Sequence, residues 1–586
     1  MKSNSSKLFF RNTNYIIYFF ILINFFFLFY KFNSIEPMGD QAFQIYWLAK
    51  LLNSKGFFVN NFEGSFYYEL LKVMASPNNF FAYYWHSFFI VVLYFFSIIF
   101  GTFFIDINQT YIIFSIFISS LNIYLSYLIY RLYIIKITDS QNLDIYSIII
   151  FLLINFSYHK FYYSPLGVHN FAIFLFLLTF YYFQKMLLNN KKDYKNLLFL
   201  GMLCSISMVS HQANFLLLLP TIFVSIFLAK DENLILKFKN LFFFMIFPAI
   251  FLIPLIFLIY VYYIKTGVDT GKPNISFSWY NFFRIESRNY TLEAIFLWVK
   301  HMVLLLGPIL LSIIFIFKKK EYINIKNLFI IILVLISFHL FFTFISGFFI
   351  TSYLRNMLYL NYLIIILFSI IIFINIKSKS NLYLSISIIL LSLFYNLFIS
   401  IDNNNLKKIN NYFYESYDFD STNKISEYHK VLKEKVNFEN NKKNFQVLFT
   451  NQMSISYTAV YNQEIFNKSI NVYRKPLNEI FVIDIKKFPL EMKKDVNYYL
   501  YSLLPKKNDF EELVRPALDQ RIPVFEELKL NVDESVEKKL FDGFKSQYLS
   551  FKDCRITSVA NLNQEIRLLT TSYNNRFFKI NCHNEN

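Results

Sequence analysis

The sequence predicts an α-helical polytopic membrane protein: about 11 transmembrane helices plus a re-entrant or juxtamembrane segment, then a C-terminal extracytoplasmic α/β domain. Three observations carry this. Of 586 residues, 56% are hydrophobic and only 16% are charged. Apolar runs repeatedly approach the roughly 20 residues that a bilayer core requires. After Ile401 the composition turns polar, with IDNNNLKKINN as a linker and strand-like and helix-like runs beyond it.

The elements follow in order. The basic start MKSNSSKLFFRN precedes an apolar run at Tyr15–Tyr30 with no small-residue cleavage site after it, which reads as an uncleaved signal anchor. Residues 32–86 form the first outer loop. It holds EPMGDQAFQIYWLAKLL, an aromatic amphipathic stretch with the acid Asp40 at its start. Ser87–Ile105 and Thr110–Arg131 are both apolar and long. If both cross, the later basic loops fall outside; if Ser87–Ile105 re-enters or lies along the surface, they fall inside. Those loops are Lys185–Lys195, Lys230–Lys239, Lys318–Lys326 and Lys377–Lys379. The positive-inside rule favours the second arrangement.

The remaining spans are Ile145–Tyr163, Phe171–Leu188, Leu197–Ser210, Phe215–Ala229, Leu241–Tyr263, Glu293–Phe317, Leu328–Phe349, Met357–Ile376 and Leu382–Ser400. The transmembrane part therefore covers 1–400, a linker 401–425, and the terminal domain 426–586. In that domain Phe445–Thr450 and Ile480–Ile485 read as strands, Leu490–Leu504 and Glu534–Phe544 as helices.

The net charge is +18. By residue count roughly +15 of it falls on the membrane part, as the positive-inside rule expects of cytoplasmic loops. No basic stretch sits in a soluble binding fold, so nucleic acid is not an expected partner. The Phe (76) and Tyr (44) excess carries no functional meaning of its own. Cys554 and Cys582 are free to pair if the terminal domain lies outside, though two cysteines alone argue little.

Polar residues sort informatively by side. Asp40, His169, His211 and Arg355 interrupt apolar or neutral stretches at outer span ends, in GDQAF, PLGVHNF, VSHQANF and SYLRNML. Ionisable groups at membrane depth are costly and are usually kept for function. Each has a plainer alternative. Asp40 fits a helix N-cap, and Arg355 a snorkelling anchor. His211 fits an interhelical hydrogen bonder, and His169 an ordinary loop residue. There is no Walker A loop, GxGxxG, HExxH or GxSxG, and no His/Cys cluster with zinc spacing. No acid stands in the middle of a span to mark a proton or ion path, which weakens a transporter.

At these residues the chain resembles the GT-C superfamily of membrane glycosyltransferases. The nearest branches are the protein O-mannosyltransferases, the aminoarabinose transferases and bacterial relatives acting on lipopolysaccharide core. The carrying stretches are GDQAFQIYWLAKLL, INFSYHKFYYSPLGVHNFAIFLFLL, LGMLCSISMVSHQANFLLLLP and SYLRNMLYLNYLIIIL, over roughly residues 10–400. Four residues depart from the pattern. His169 and Asn170 stand where many members have a second acid, His211 where many have Lys, and Asn356 where a Tyr follows the Arg.

The resemblance implies transfer of a hexose or pentose from a polyprenyl-phosphate donor to a lipid, glycan or protein acceptor of the cell envelope. The reaction is expected at the outer face of a bacterial inner membrane, with inversion. It implies Asp40 as catalytic base, Arg355 and His211 as donor-phosphate ligands, and Gln41, His169 and Asn170 as candidate substrate contacts. No metal ligand or cofactor is assigned; a divalent metal stays open, because one carboxylate makes a poor site by itself. The alternatives are an envelope polysaccharide polymerase or ligase, a lipid-linked glycan flippase, or a non-enzymatic membrane scaffold.

Overall fold

The computed structural model describes residues 15–26, 28–30, 40–52, 80–100, 107–138, 147–154, 167–189, 193–210, 212–227, 233–266, 307–315, 328–338, 358–376, 381–402, 424–439, 444–449, 452–462, 469–470, 496–505, 554–559, 564–568 and 571–582, with isolated positions at 296, 299 and 303. These residues are mostly helical, with one small sheet. They divide into two compact units. The first gathers 1–33, 80–89 and 112–414, the second 34–79, 90–111 and 415–586.

The helices are α1 (Tyr15–Tyr30), α2 (Asp40–Leu52), α3 (Phe80–Phe100), α4 (Ile107–Thr138) and α5 (147–154). Next come α6 (Val168–Leu188), α7 (Tyr194–Ser210), α8 (Gln212–Phe227) and α9 (Leu234–Thr266). A 3₁₀ stretch at Gly307–Phe315 precedes α10 (Leu328–Phe338), α11 (Leu358–Ile376) and α12 (Leu382–Asp402). Among the described residues, four segments are long and apolar enough to cross a bilayer: Ile107–Ile137, Val168–Leu188, Leu234–Phe251 and Tyr359–Ile376.

Several boundaries differ from the sequence expectation. Thr110–Arg131 is part of a longer helix that runs on to Thr138, and Leu241–Tyr263 sits inside one that begins at Leu234. The extra turns, LYIIKIT at α4's end and LILKFKN at α9's start, carry Lys136, Lys237 and Lys239, basic residues at which a span read from the sequence is cut. α3 is an unbroken 21-residue helix that begins at Phe80, ahead of the expected Ser87, and residues 101–105 lie outside the described residues. Within Glu293–Phe317 the isolated described positions Phe296, Val299 and Val303 are α-helical, while the continuous stretch Gly307–Phe315 is 3₁₀. Gly307 opens it with φ +47°, and a Cβ there would strike the Tyr395 ring, so glycine is required twice over. Pro308 follows at once and removes a backbone donor.

The first unit is fastened by polar residues inside apolar helices. Span hydroxyls bond back one turn: Ser120 to the Ile116 carbonyl, Ser126 to Asn122, Thr179 to Leu175, Thr221 to Leu217 and Ser369 to Ile365. This satisfies them where lipid offers no partner. Asp193 caps α7, accepting from the Asn196 N–H at 2.8 Å, and Asn233 caps α9 through the Leu236 N–H at 2.8 Å. Gly201 lets α7 press against α9, since a Cβ would collide with the Phe244 carbonyl. Phe171 packs in a knot of rings with Phe88, Phe89 and Phe114.

The second unit contains α2, helix α13 (Lys424–Glu439), helix α14 (Gln452–Tyr461) and a mixed sheet. The strands are β1 (Asn444–Phe449), β2 (Ser469–Ile470), β3 (Val496–Pro505), β4 (Cys554–Ser558), β5 (Gln564–Leu568) and β6 (Thr571–Cys582). Their order is β2-β1-β3-β6-β4, with β5 also on β6. β1 is parallel to β2 and β3; β6 is antiparallel to β3, β4 and β5.

Phe445–Thr450 is a strand as expected, in β1. Leu490–Leu504 is corrected: its described part is the central strand β3, not a helix. Tyr498, Tyr499, Leu500 and Tyr501 are all buried, and consecutive aromatics fit a strand covered on both faces better than a helix with one wet side. Ile480–Ile485 and Glu534–Phe544 lie outside the described residues.

Candidate functional site

In the second unit Asp40 is the first residue of α2, the position where a helix start favours an acid. Behind it the helix buries most of its length: Gln41, Ala42, Gln44, Ile45, Tyr46, Leu48, Ala49 and Leu51 are all at most 2% exposed. That is more than the single apolar face of an interfacial helix, and α2 uses it to pack against α14. Gln44 accepts from the Tyr111 hydroxyl at 2.8 Å.

Gln41 differs from its neighbour. It is 2% exposed, and neither its amide oxygen nor its amide nitrogen has a hydrogen-bond partner. A buried amide in that condition costs about 1–3 kcal/mol. Unspent hydrogen-bonding capacity therefore stands next in sequence to the one acid in this stretch.

In the first unit His169 is partly buried in the first turn of α6. Asn170 beside it is fully buried. Its side-chain N–H donates to the Ser115 carbonyl at 2.9 Å, and its Oδ1 accepts from Asn122 at 2.6 Å. Asn122 also reaches the Asn170 carbonyl at 3.1 Å, and the Gly167 N–H donates to the Ser115 hydroxyl at 3.5 Å. Asn170 thus ties the start of α6 to α4. Its amide is spent on the fold, and what it holds in place is His169.

On α8, Asn214 performs a similar task one turn after His211. Its N–H groups reach the Ala172 and Ser207 carbonyls at 3.0 and 3.1 Å and the Ser210 hydroxyl at 3.3 Å. His211 and Arg355 themselves lie outside the described residues.

Sequence reasoning by charge overlooked Asn122, Asn214 and Asn361. Asn361, near the start of α11 and six residues after Arg355, is fully buried with both amide atoms lacking a hydrogen-bond partner. The available signal was an amide inside an apolar run, as in SSLNIYLSY and LYLNYLIII. Among the described residues no three His, Cys, Asp or Glu side chains come together. Cys554 and Cys582, paired across β4 and β6, form a disulfide.

No protein-family model matches the chain, and no curated protein matches it.

Proposed function

We propose that the chain is an integral-membrane glycosyltransferase that moves a sugar from a polyprenyl-phosphate donor to a cell-envelope acceptor on the outer face of the membrane. The observation that carries the reading is the start of α2. Asp40 opens a helix anchored by burial, and the adjacent Gln41 holds two buried amide atoms without partners. A rigid element presenting an acid next to idle polar groups suits substrate chemistry better than it suits stability.

Two further features support it. Four apolar helices provide the membrane setting, with about 11 crossings expected from the sequence. The Cys554–Cys582 disulfide suits an oxidising, extracytoplasmic compartment for the sheet. A sheet outside and a basic N-terminus inside agree with the charge rule.

The chemistry balances without a co-reactant. The acceptor hydroxyl oxygen attacks the anomeric carbon while its proton passes to Asp40. The bond from that carbon to the donor's phosphate oxygen breaks, and polyprenyl phosphate leaves with the electron pair. Asp40 then returns the proton to water. Phosphate leaves as a weak base and needs charge stabilisation rather than protonation. Arg355 has the planar fork for that, and His211 adds a donor. A positioned base typically contributes about 10²–10⁴-fold. His169, Gln41 and Asn170 remain the substrate side of the proposal, Asn170 by placing His169.

The test is transfer in nanodiscs from radiolabelled polyprenyl-phosphate sugars to an envelope lipid extract, with Asp40→Asn alongside. Transfer by the wild type that collapses in Asp40→Asn, at equal folded amounts, supports the reading. Equal turnover by the two removes the base assignment. No transfer from any donor moves weight to a polymerase, ligase, flippase or scaffold.

A further inference from the structure

A second polar cluster lies in the second unit, between α13, α14 and the sheet. His429 on α13 is 1% exposed. Its Nε2 stands 3.5 Å from the Tyr501 hydroxyl of β3, and its Nδ1 has no hydrogen-bond partner. The ring is enclosed by aromatics: Tyr501 edge-on at 5.7 Å, Tyr461 of α14 at 5.8 Å, and Tyr428 at 5.7 Å. Tyr428 stacks on Tyr501 in turn at 6.0 Å. Asn575 of β6 is fully buried and meets Tyr501 through its side chain. The Tyr428 hydroxyl is buried and without a hydrogen-bond partner.

Among the described residues the cluster is neutral throughout. On α13 itself Glu427, Lys430, Lys433 and Glu434 are exposed, pointing away from a buried ring. α14 carries no charged residue, only Tyr457 and Tyr461; β3 carries none, only Tyr498, Tyr499 and Tyr501. β6 brings Arg576 and Lys579, and β5, which also meets α13, brings Glu565 and Arg567. Among the described residues none of these charges acts on His429, whose ring is perturbed by burial alone.

We propose that His429 is a proton-operated latch: neutral, it seals α13 against β3 and α14; protonated, it forces that seam open, and α14 loosens its hold on the helix that begins at Asp40. The geometry gives the reason. A second N–H and a full positive charge would arise among rings and amides that, among the described residues, offer no carboxylate. Releasing α13 to water is the available relief. The consequence reaches α2 because α14 packs on α2 as well as on α13 and β3.

The sign follows from the same burial. It lowers the imidazole to about 3 from an ordinary 6.5. A lowered folded-state value means the closed seam keeps its full stability above the unfolded value and loses it as pH falls from 6.5 toward 3. Between about pH 7 and pH 4.5 a single such proton raises the opening constant by roughly 10²-fold. The latch is independent of the sugar-transfer reading and is tested without turnover.

The experiment is amide hydrogen exchange by mass spectrometry on the full chain in nanodiscs, with exchange times scaled for intrinsic pH dependence. Wild type and His429→Phe are compared at each pH. The wild type should lose protection in α13, α14, β3 and α2 by up to about 10²-fold on acidification, and His429→Phe should hold its neutral-pH protection. The same acid loss in a variant folded at neutral pH overturns the proposal. Should Phe not fold, His429→Gln serves, and C2-proton exchange of the wild-type histidines reads His429 directly: an ordinary value near 6.5 overturns the latch.

Discussion

The Asn122 side chain donates to the Asn170 Oδ1 at 2.6 Å, joining the middle of one apolar helix to the first turn of another. Both residues are fully buried. The Asn170 amide passes the link on to the Ser115 carbonyl, so three residues close a small polar circuit in a hydrocarbon setting. The partly buried His169 is carried on that circuit.

Asn122→Leu should therefore do two things. Removing the donor takes one hydrogen bond from the buried Asn170 oxygen, at up to about 1–3 kcal/mol. Membrane hydrogen bonds average less, about 0.6 kcal/mol, so the fold should survive with a lowered melting temperature. Donor transfer should fall beyond that loss because His169 is misplaced. Thermal unfolding in nanodiscs and transfer rates at equal folded amounts check the two parts separately.

Gln41→Leu should dissociate stability from activity. The native amide is buried without hydrogen-bond partners, so an apolar side chain of similar size should leave the melting temperature unchanged or raise it. Transfer should drop by about tenfold, the worth of one neutral hydrogen bond at the reacting substrate. A variant as active as the wild type would return Gln41 to the fold.

Reduction of the Cys554–Cys582 bond should loosen the sheet alone. The bridge closes a separation of 28 residues, for which chain entropy gives about 3–4 kcal/mol. Cys554→Ser with Cys582→Ser should unfold β4 and β6 earlier than α4 or α6, readable as selective loss of exchange protection. Alkylation of the native chain before and after reduction should label two more thiols afterwards, with the buried Cys204 labelled only on unfolding.

Gly201→Val should separate α7 from α9. Even one carbon at this position meets the Phe244 carbonyl, so the helices must move apart. Overpacking of this kind costs about 1–3 kcal/mol. A melting temperature that falls for Gly201→Val in nanodiscs would match; an unchanged one would mean that the two helices do not meet at this residue.

Much of the helical pattern was legible because bilayer thickness imposes a run length that composition reveals directly. Helix ends were harder to read. Lys237 and Lys239 look like a loop by hydropathy, yet Asn233 caps a helix that contains them both. The start of α2 was legible from Asp40 and the aromatic run after it. Its burial was not, since the amphipathic pattern says which face is apolar but not that α14 lies against it. β3 was misread because YYLYSLL suits either state in isolation; neighbours on both sides, β1 and β6, decide it. Asn122 and Asn361 were passed over because they are uncharged, although an amide in an apolar helix raises the same question as a charge.

The packing of α2 on α14 also sets a schedule for biosynthesis. The two helices belong to one unit, yet α14 leaves the ribosome roughly 400 residues after α2, or some 20–80 s at about 5–20 residues per second. Throughout that interval Ala42, Ile45, Tyr46, Leu48 and Ala49 lack the partner that buries them. The nascent chain must shelter this helix, in the lipid interface or with a chaperone, until its last quarter is made. Truncations that end before Gln452 should consequently be cleared by quality control rather than accumulate as a membrane domain lacking its tail.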